Sequence, residues 1–165
     1  MDGHAASRCR SLFRGAERPS VAYTSRVDAT YELFDHTADM GIRVRAATLP
    51  ELLRPAGEAL YAVIGELVPR KGGITITFDL TGGDVADLLR DYLGELLILF
   101  ERDRQMATSV DATVYEDNRL RAAIVASPVD EERSLYHREV KAITYHELAV
   151  RPVADGLEAT LIVDI

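Results

Sequence analysis

Apolar and polar positions begin to alternate at Ile42. Ile42, Val44 and Ala46 interleave with Arg43 and Arg45, the period-two pattern of a strand with one wet face. Thr48-Leu49-Pro50-Glu51 follows, a capping-box pattern in which the Thr hydroxyl accepts from a free backbone N–H and Glu51 reciprocates. The helix it opens would bury Leu49, Leu52, Leu53, Ala56, Leu60, Val63 and Ile64. Pro55 conflicts with that pattern. Inside a helix it loses a hydrogen bond and clashes with the preceding turn, at about 3 kcal/mol. The sequence thus predicts a kink, or a regular helix that starts near Arg54.

Lys71-Gly72-Gly73 breaks the chain, and Ile74, Ile76, Phe78 and Leu80 then alternate with Thr75, Thr77 and Asp79 as a half-buried strand. Gly82-Gly83-Asp84 leads into the strongest helix, with Val85, Leu88, Leu89, Tyr92, Leu93, Leu96, Leu97 and Phe100 at helical spacing. Arg102 and Arg104 suit the negative pole at its far end. Val110, Ala112 and Val114 run into Glu116-Asp117-Asn118, and Leu120, Ala122 and Ile124 run out, which predicts a hairpin. Val140 to Val150 is strand-like with an interruption at Thr144 to His146. Asp155-Gly156 is a two-residue hairpin signal, and Leu157, Ala159, Leu161, Val163 and Ile165 line one face of the last strand. Two helices among about seven strands imply a single α+β domain, helices packed on a mostly antiparallel sheet.

The chain has 165 residues, 47% of them hydrophobic, enough for one domain with a sizeable core. Residues 1–28 show neither period and read as a flexible N-terminal extension, so the ordered domain spans 29–165, with structure starting near Tyr31. The net charge of −8 is uneven: five of 19 basic and three of 27 acidic residues lie in 1–28, leaving about −10 on the rest. So acidic a body is a poor phosphate binder, and any role with RNA would run through a partner. Cys9 is the single cysteine, so no internal disulfide forms. No apolar run approaches the roughly 18 residues of a membrane helix, and no secretory h-region opens the chain. The expected location is the cytoplasm.

Three stretches could carry chemistry. Asp35-His36-Thr37-Ala38-Asp39 sets two carboxylates and an imidazole within five residues, suited to a cation or to acid–base work. Spacing alone favours a capped turn instead, and a hydrogen-bonded structural role for His36. At Val163-Asp164-Ile165, Asp164 and the α-carboxylate place two anions one residue apart, which repel unless a cation lies close by. All-oxygen ligation would favour Ca²⁺ or Mg²⁺ over Zn²⁺. Spacing alone favours a solvated chain end, the usual state of chain ends. In Glu139-Val140-Lys141-Ala142-Ile143-Thr144-Tyr145-His146, Glu139 and Lys141 share a face, and His146 sits at metal spacing with no other His or Cys. Walker and dinucleotide loops, zinc clusters, Gly-x-Ser-x-Gly elbows and RNP-type aromatic stretches are absent from the sequence.

Taken together, these stretches resemble the archease family. Tyr31-Glu-Leu-Phe-Asp-His-Thr-Ala-Asp-Met-Gly-Ile42 resembles its opening motif, Asp91-Tyr-Leu-Gly-Glu-Leu-Leu-Ile-Leu-Phe100 its central helix, and Glu139 to His146 its third motif. The likeness runs from about residue 30 to 165. The family usually has Trp and Asn where Tyr92 and Gly94 stand here, and residues 1–28 have no counterpart. The resemblance implies a non-catalytic accessory protein of the RtcB-type RNA ligase. Such a protein promotes guanylylation and repeated turnover of the ligase in tRNA splicing or RNA repair. It also implies a metal site at Asp39, Asp164 and Ile165, the last through its α-carboxylate, and a functional Lys141. Ca²⁺ is the expected ion, with Mg²⁺ or Mn²⁺ as alternatives. Two other functions fit less well: a general chaperone or modulator of tRNA-modifying enzymes such as methyltransferases, and a metal-dependent hydrolase using Asp35, His36 and Asp39.

Overall fold

The computed structural model describes residues 28–165. The expected N-terminal extension and Cys9 therefore lie outside the described residues, apart from Asp28. The elements run β1 (Thr30–His36), β2 (Asp39–Ala46), α1 (Leu49–Ile64), β3 (Gly65–Glu66), β4 (Ile74–Thr81), α2 (Val85–Asp103), β5 (Gln105–Tyr115), β6 (Arg119–Pro128), β7 (Leu135–Tyr136), β8 (Ala142–Ile143), β9 (Ala149–Val153) and β10 (Gly156–Asp164). Every strand pairing is antiparallel. The largest sheet has the order β1-β2-β10-β8, with β9 also on β10, and a second sheet has the order β4-β6-β5. Both helices pack against both of these sheets, so the domain is α+β, as the alternating pattern predicts.

The core sits between these layers. Ile42, Val44 and Ala46 of β2 and Ala159, Leu161 and Val163 of β10 are fully buried. They meet Leu52, Leu53 and Leu60 of α1 and Leu88, Leu89, Leu93 and Leu96 of α2 in one cluster, which extends to Leu120, Ala122 and Ile124 of β6. Tyr92, where the resemblance sets Trp, is also buried and meets the Phe78 ring edge-on at 6.5 Å. Burial pushes its phenol well above the usual range, with nearby Tyr61 adding to the effect.

Several local expectations change. β1 carried no alternation strong enough to predict it, yet it pairs with β2 along its whole length. Thr48 caps α1 by position, but its hydroxyl makes no capping bond. Pro50 has already removed one of the N–H groups that such a hydroxyl could accept from. α1 is continuous from Leu49 through Pro55 rather than starting near Arg54, and the missing N–H is outweighed by ten other buried residues on the helix. α2 does have a reciprocal cap: Asp87 N donates to Asp84 Oδ1 at 2.9 Å, and Gly83 N donates to Asp87 Oδ2 at 3.0 Å. The last hairpin turns at Ala154-Asp155, because Gly156 already pairs with Val153. Gly156 passes so close to the Ala46 main chain that a side chain would strike it.

The outer face of the large sheet holds a second, small apolar spot. Ile162 alternates away from the core, yet it is fully buried. Its partner in β2 is Gly41, which on the other side pairs with Phe34 of β1. The Phe34 ring occupies the space where a Gly41 side chain would stand, and Arg43 stacks on that ring at 5.0 Å. The glycine of the opening motif is thus required by a ring laid across the strand.

Two stability predictions follow from the glycines. A Cβ at Gly94 would meet no atom within 4 Å. Gly94→Ala should therefore stabilise the domain by about 1 kcal/mol, raising Tm by about 2–4 °C; a lower Tm would show that α2 needs the freer backbone there. Gly41→Ala should destabilise by about 1–3 kcal/mol through overpacking against Phe34. Adding Phe34→Ala should cost clearly less than the two single changes summed, and strict additivity in denaturant melts would contradict the ring contact.

Candidate metal centre at one end of the large sheet

The opening motif is a hairpin. Asp35 and His36 end β1, Asp39 begins β2, and His36 pairs directly with Asp39 across a two-residue turn. Thr37 holds φ 50° at the first turn position. Glycine is usual at such a position, and a β-branched residue there is strained. Alternation puts Asp35 on the side of Met40 and the core, and His36 and Asp39 on the outer face. Asp35 therefore does not converge with the other two.

Three strands bring the remaining sequence-predicted residues to the same end. Val163 pairs with Met40. Asp164 is the next residue of β10 and Asp39 the next of β2, so both lie where that ladder ends. On its other edge Asp164 pairs with Ala142, and Lys141 N donates to Asp164 O at 2.8 Å. Lys141 Nζ donates to the main-chain oxygen of Ile165 at 2.9 Å and lies 3.8 Å from Asp164 Oδ1. Asp39, Lys141, Asp164 and Ile165 thus share one corner. The lysine ammonium lies among its oxygens, a counter-charge to anions that would otherwise repel.

A neighbouring group was hidden from sequence reasoning. His36, His146 and Glu147 each offer a ligand atom, and these atoms lie within 4.8 Å of one another, so the group can coordinate a divalent cation. His36 Nε2 is 3.7 Å and His146 Nε2 is 3.9 Å from Glu147 Oε1. The imidazole centroids are 5.3 Å apart. His146 had no partner by spacing, because its partner lies in the opening hairpin. The contact arises where the chain leaves the sheet edge between β8 and β9. Thr144 N and Thr144 Oγ1 both donate to Ile162 O at 3.0 Å, and His146 N donates back to Thr144 Oγ1 at 3.2 Å. The resulting turn reaches His36 on the outer face.

The central helix supports this turn. Tyr145 stacks on the Arg90 guanidinium at 4.2 Å, and Arg90 Nη1 donates to Asp91 Oδ1 at 2.7 Å. α2 thus meets the third-motif turn through Arg90, the residue just before the second motif. Among the described residues no helix is long and apolar enough to cross a membrane.

Comparison with known proteins bears on the family and the fold. The profile of the Archease protein family (MTH1598/TM1083) matches residues 31–165. Protein archease of Methanosarcina acetivorans is 34% identical over 139 residues, covering 82% of this chain and 95% of its own. That of Methanopyrus kandleri is 30% identical over 138 residues, covering 82% and 99%. The solution structure of Methanobacterium thermoautotrophicum protein 1598 is similar with a TM-score of 0.68 at 25% identity, across 82% of this chain and 98% of that one. A Thermotoga maritima crystal structure, described as an archease and possible chaperone, shares the fold at a TM-score of 0.58 and 19% identity, across 80% and 94%. The match takes in the opening hairpin, both helices and the strands that meet at the acidic corner, and by it the chain belongs to the archease protein family.

Proposed function

We propose that this chain is a non-catalytic accessory protein that activates an RtcB-type RNA ligase, promoting its guanylylation and multiple turnover in tRNA splicing or RNA repair. The observation that supports this most is the corner where Asp164 and Ile165 face Lys141 beside Asp39. Its donor set is all oxygen and anionic, which fits a hard divalent cation. Asp39, Asp164 and the α-carboxylate of Ile165 would hold Ca²⁺, with Mg²⁺ or Mn²⁺ as alternatives. Bound there, the ion supplies concentrated positive charge at a surface the ligase can reach. Lys141 orients Asp164 and Ile165 and serves as a docking cation. A body near −10 leaves RNA to the ligase and approaches it only indirectly. The proposed location is the cytoplasm.

A general chaperone or modulator of tRNA-modifying enzymes is the second reading. It draws on the exposed apolar Ile98, Leu135 and Tyr136, and on the description of the Thermotoga maritima relative as a possible chaperone. The hydrolase reading is weakened by Asp35, which faces away from His36 and Asp39.

Asp39→Ala and Asp164→Ala should each keep the fold by circular dichroism and lose stimulation of ligase guanylylation. Full stimulation by both variants sinks the proposal. A short tag appended after Ile165 should weaken Ca²⁺ binding in calorimetry, and an N-terminal tag should not. Equal affinity in the two would remove the α-carboxylate from the site.

A further inference from the structure

The His36, His146 and Glu147 group differs in chemistry from the acidic corner beside it. Two imidazole nitrogens and one carboxylate suit borderline ions such as Zn²⁺ or Co²⁺, whereas Ca²⁺ and Mg²⁺ take oxygen. The spacing is close to what such an ion needs. Bonds of roughly 2.0–2.1 Å around a tetrahedral ion set ligand atoms about 3.3–3.4 Å apart. Both histidines already hold their Nε2 atoms 3.7 and 3.9 Å from Glu147 Oε1. Three protein ligands leave the ion an open position, as in catalytic and exchangeable sites rather than closed structural ones.

Three further features favour a ligand here. His36 Nδ1 is buried and has no hydrogen-bond partner, so no acceptor fixes the tautomer of the ring and Nε2, the nitrogen nearer Glu147, is open to an ion. Glu147 holds φ 51° in a turn closed by Leu148 N donating to Tyr145 O at 3.3 Å. At that turn position Gly or Asn is the favoured residue, so a glutamate there is strained. Thr37, next to His36, is strained in the same sense at φ 50°. Backbone strain thus flanks the group on both of the elements that form it. The hydrogen bonds of Thr144 and the Arg90–Tyr145 stack, meanwhile, hold the third-motif turn in place.

We propose that His36, His146 and Glu147 form a second cation site, selective for a nitrogen-preferring divalent transition ion and separate from the all-oxygen corner. The ion clasps the opening hairpin to the turn between β8 and β9. This inference does not depend on the ligase reading.

The test is titration of the full chain with Co²⁺ in saturating Ca²⁺, followed by visible absorption and calorimetry. His146 and Glu147 side chains are 63% and 52% exposed, so their substitution should not unfold the domain. His146→Ala and Glu147→Gln should each weaken Co²⁺ binding at least tenfold, and Asp164→Ala should leave it within twofold. Glu147→Gly is the sharper variant: it relieves the left-handed backbone, so Tm in the absence of metal should hold or rise while Co²⁺ affinity falls. Co²⁺ should raise the Tm of the parent chain and not that of His146→Ala. Undiminished Co²⁺ affinity in His146→Ala overturns the proposal. Loss of Co²⁺ binding in Asp164→Ala also overturns it, by showing one shared site. Failure of Ca²⁺ binding or of ligase stimulation bears on the acidic corner alone.

Discussion

The structure depends on the register of β10. That strand lies between β2 on one edge and β8 and β9 on the other, and every residue of the acidic corner takes its place from those pairings. Strand side chains alternate with a period of two, so a slip of one residue would exchange faces. Leu161 and Val163 would leave the core, and Asp164 would enter it. The apolar face of β10 therefore fixes where its last carboxylate points. Hydrophobic burial, the least directional force in the molecule, sets a polar geometry.

Charge is the second constraint on this end of the sheet. The end of the β2–β10 ladder gathers Asp39, Asp164 and the oxygens of Ile165 at one end of the sheet. Lys141, the residue before β8, balances them with half of its side chain in water. So exposed an ion pair adds little to folding stability. Its importance is local: it keeps like charges together at a surface where a cation or a partner can reach them.

Much of the fold can be read from single stretches. The faces of β2, β4, β6 and β10, the core stripe of α2 and the hairpin at Glu116-Asp117-Asn118 all follow from periodicity. β1 does not, because its outer face carries Glu32, Phe34 and His36 in place of uniform polarity, and Phe34 has a local packing role. Carboxylates at Asp39 and at Asp164 are each visible in their own stretch, but spacing does not join them; the family resemblance does, and the pairing of β2 with β10 puts both at one end of the sheet. The imidazole group is less legible still. His36 and His146 are 110 residues apart, and they meet because a short excursion from the sheet edge folds over the outer face. A motif spaced along the chain cannot encode such a meeting.

The pairing of Met40 with Val163 spans 123 residues of chain. Contacts of that length close late, because the entropy of bringing distant segments together must be met before the pairing stabilises anything. The hairpins β1–β2, β5–β6 and β9–β10 can form locally, but the acidic corner has no local precursor. It comes into being only when β10 docks between strands made at opposite ends of the domain. A partner that recognises that corner therefore recognises a chain that has finished folding, and partly folded or misregistered copies carry no competing version of the signal.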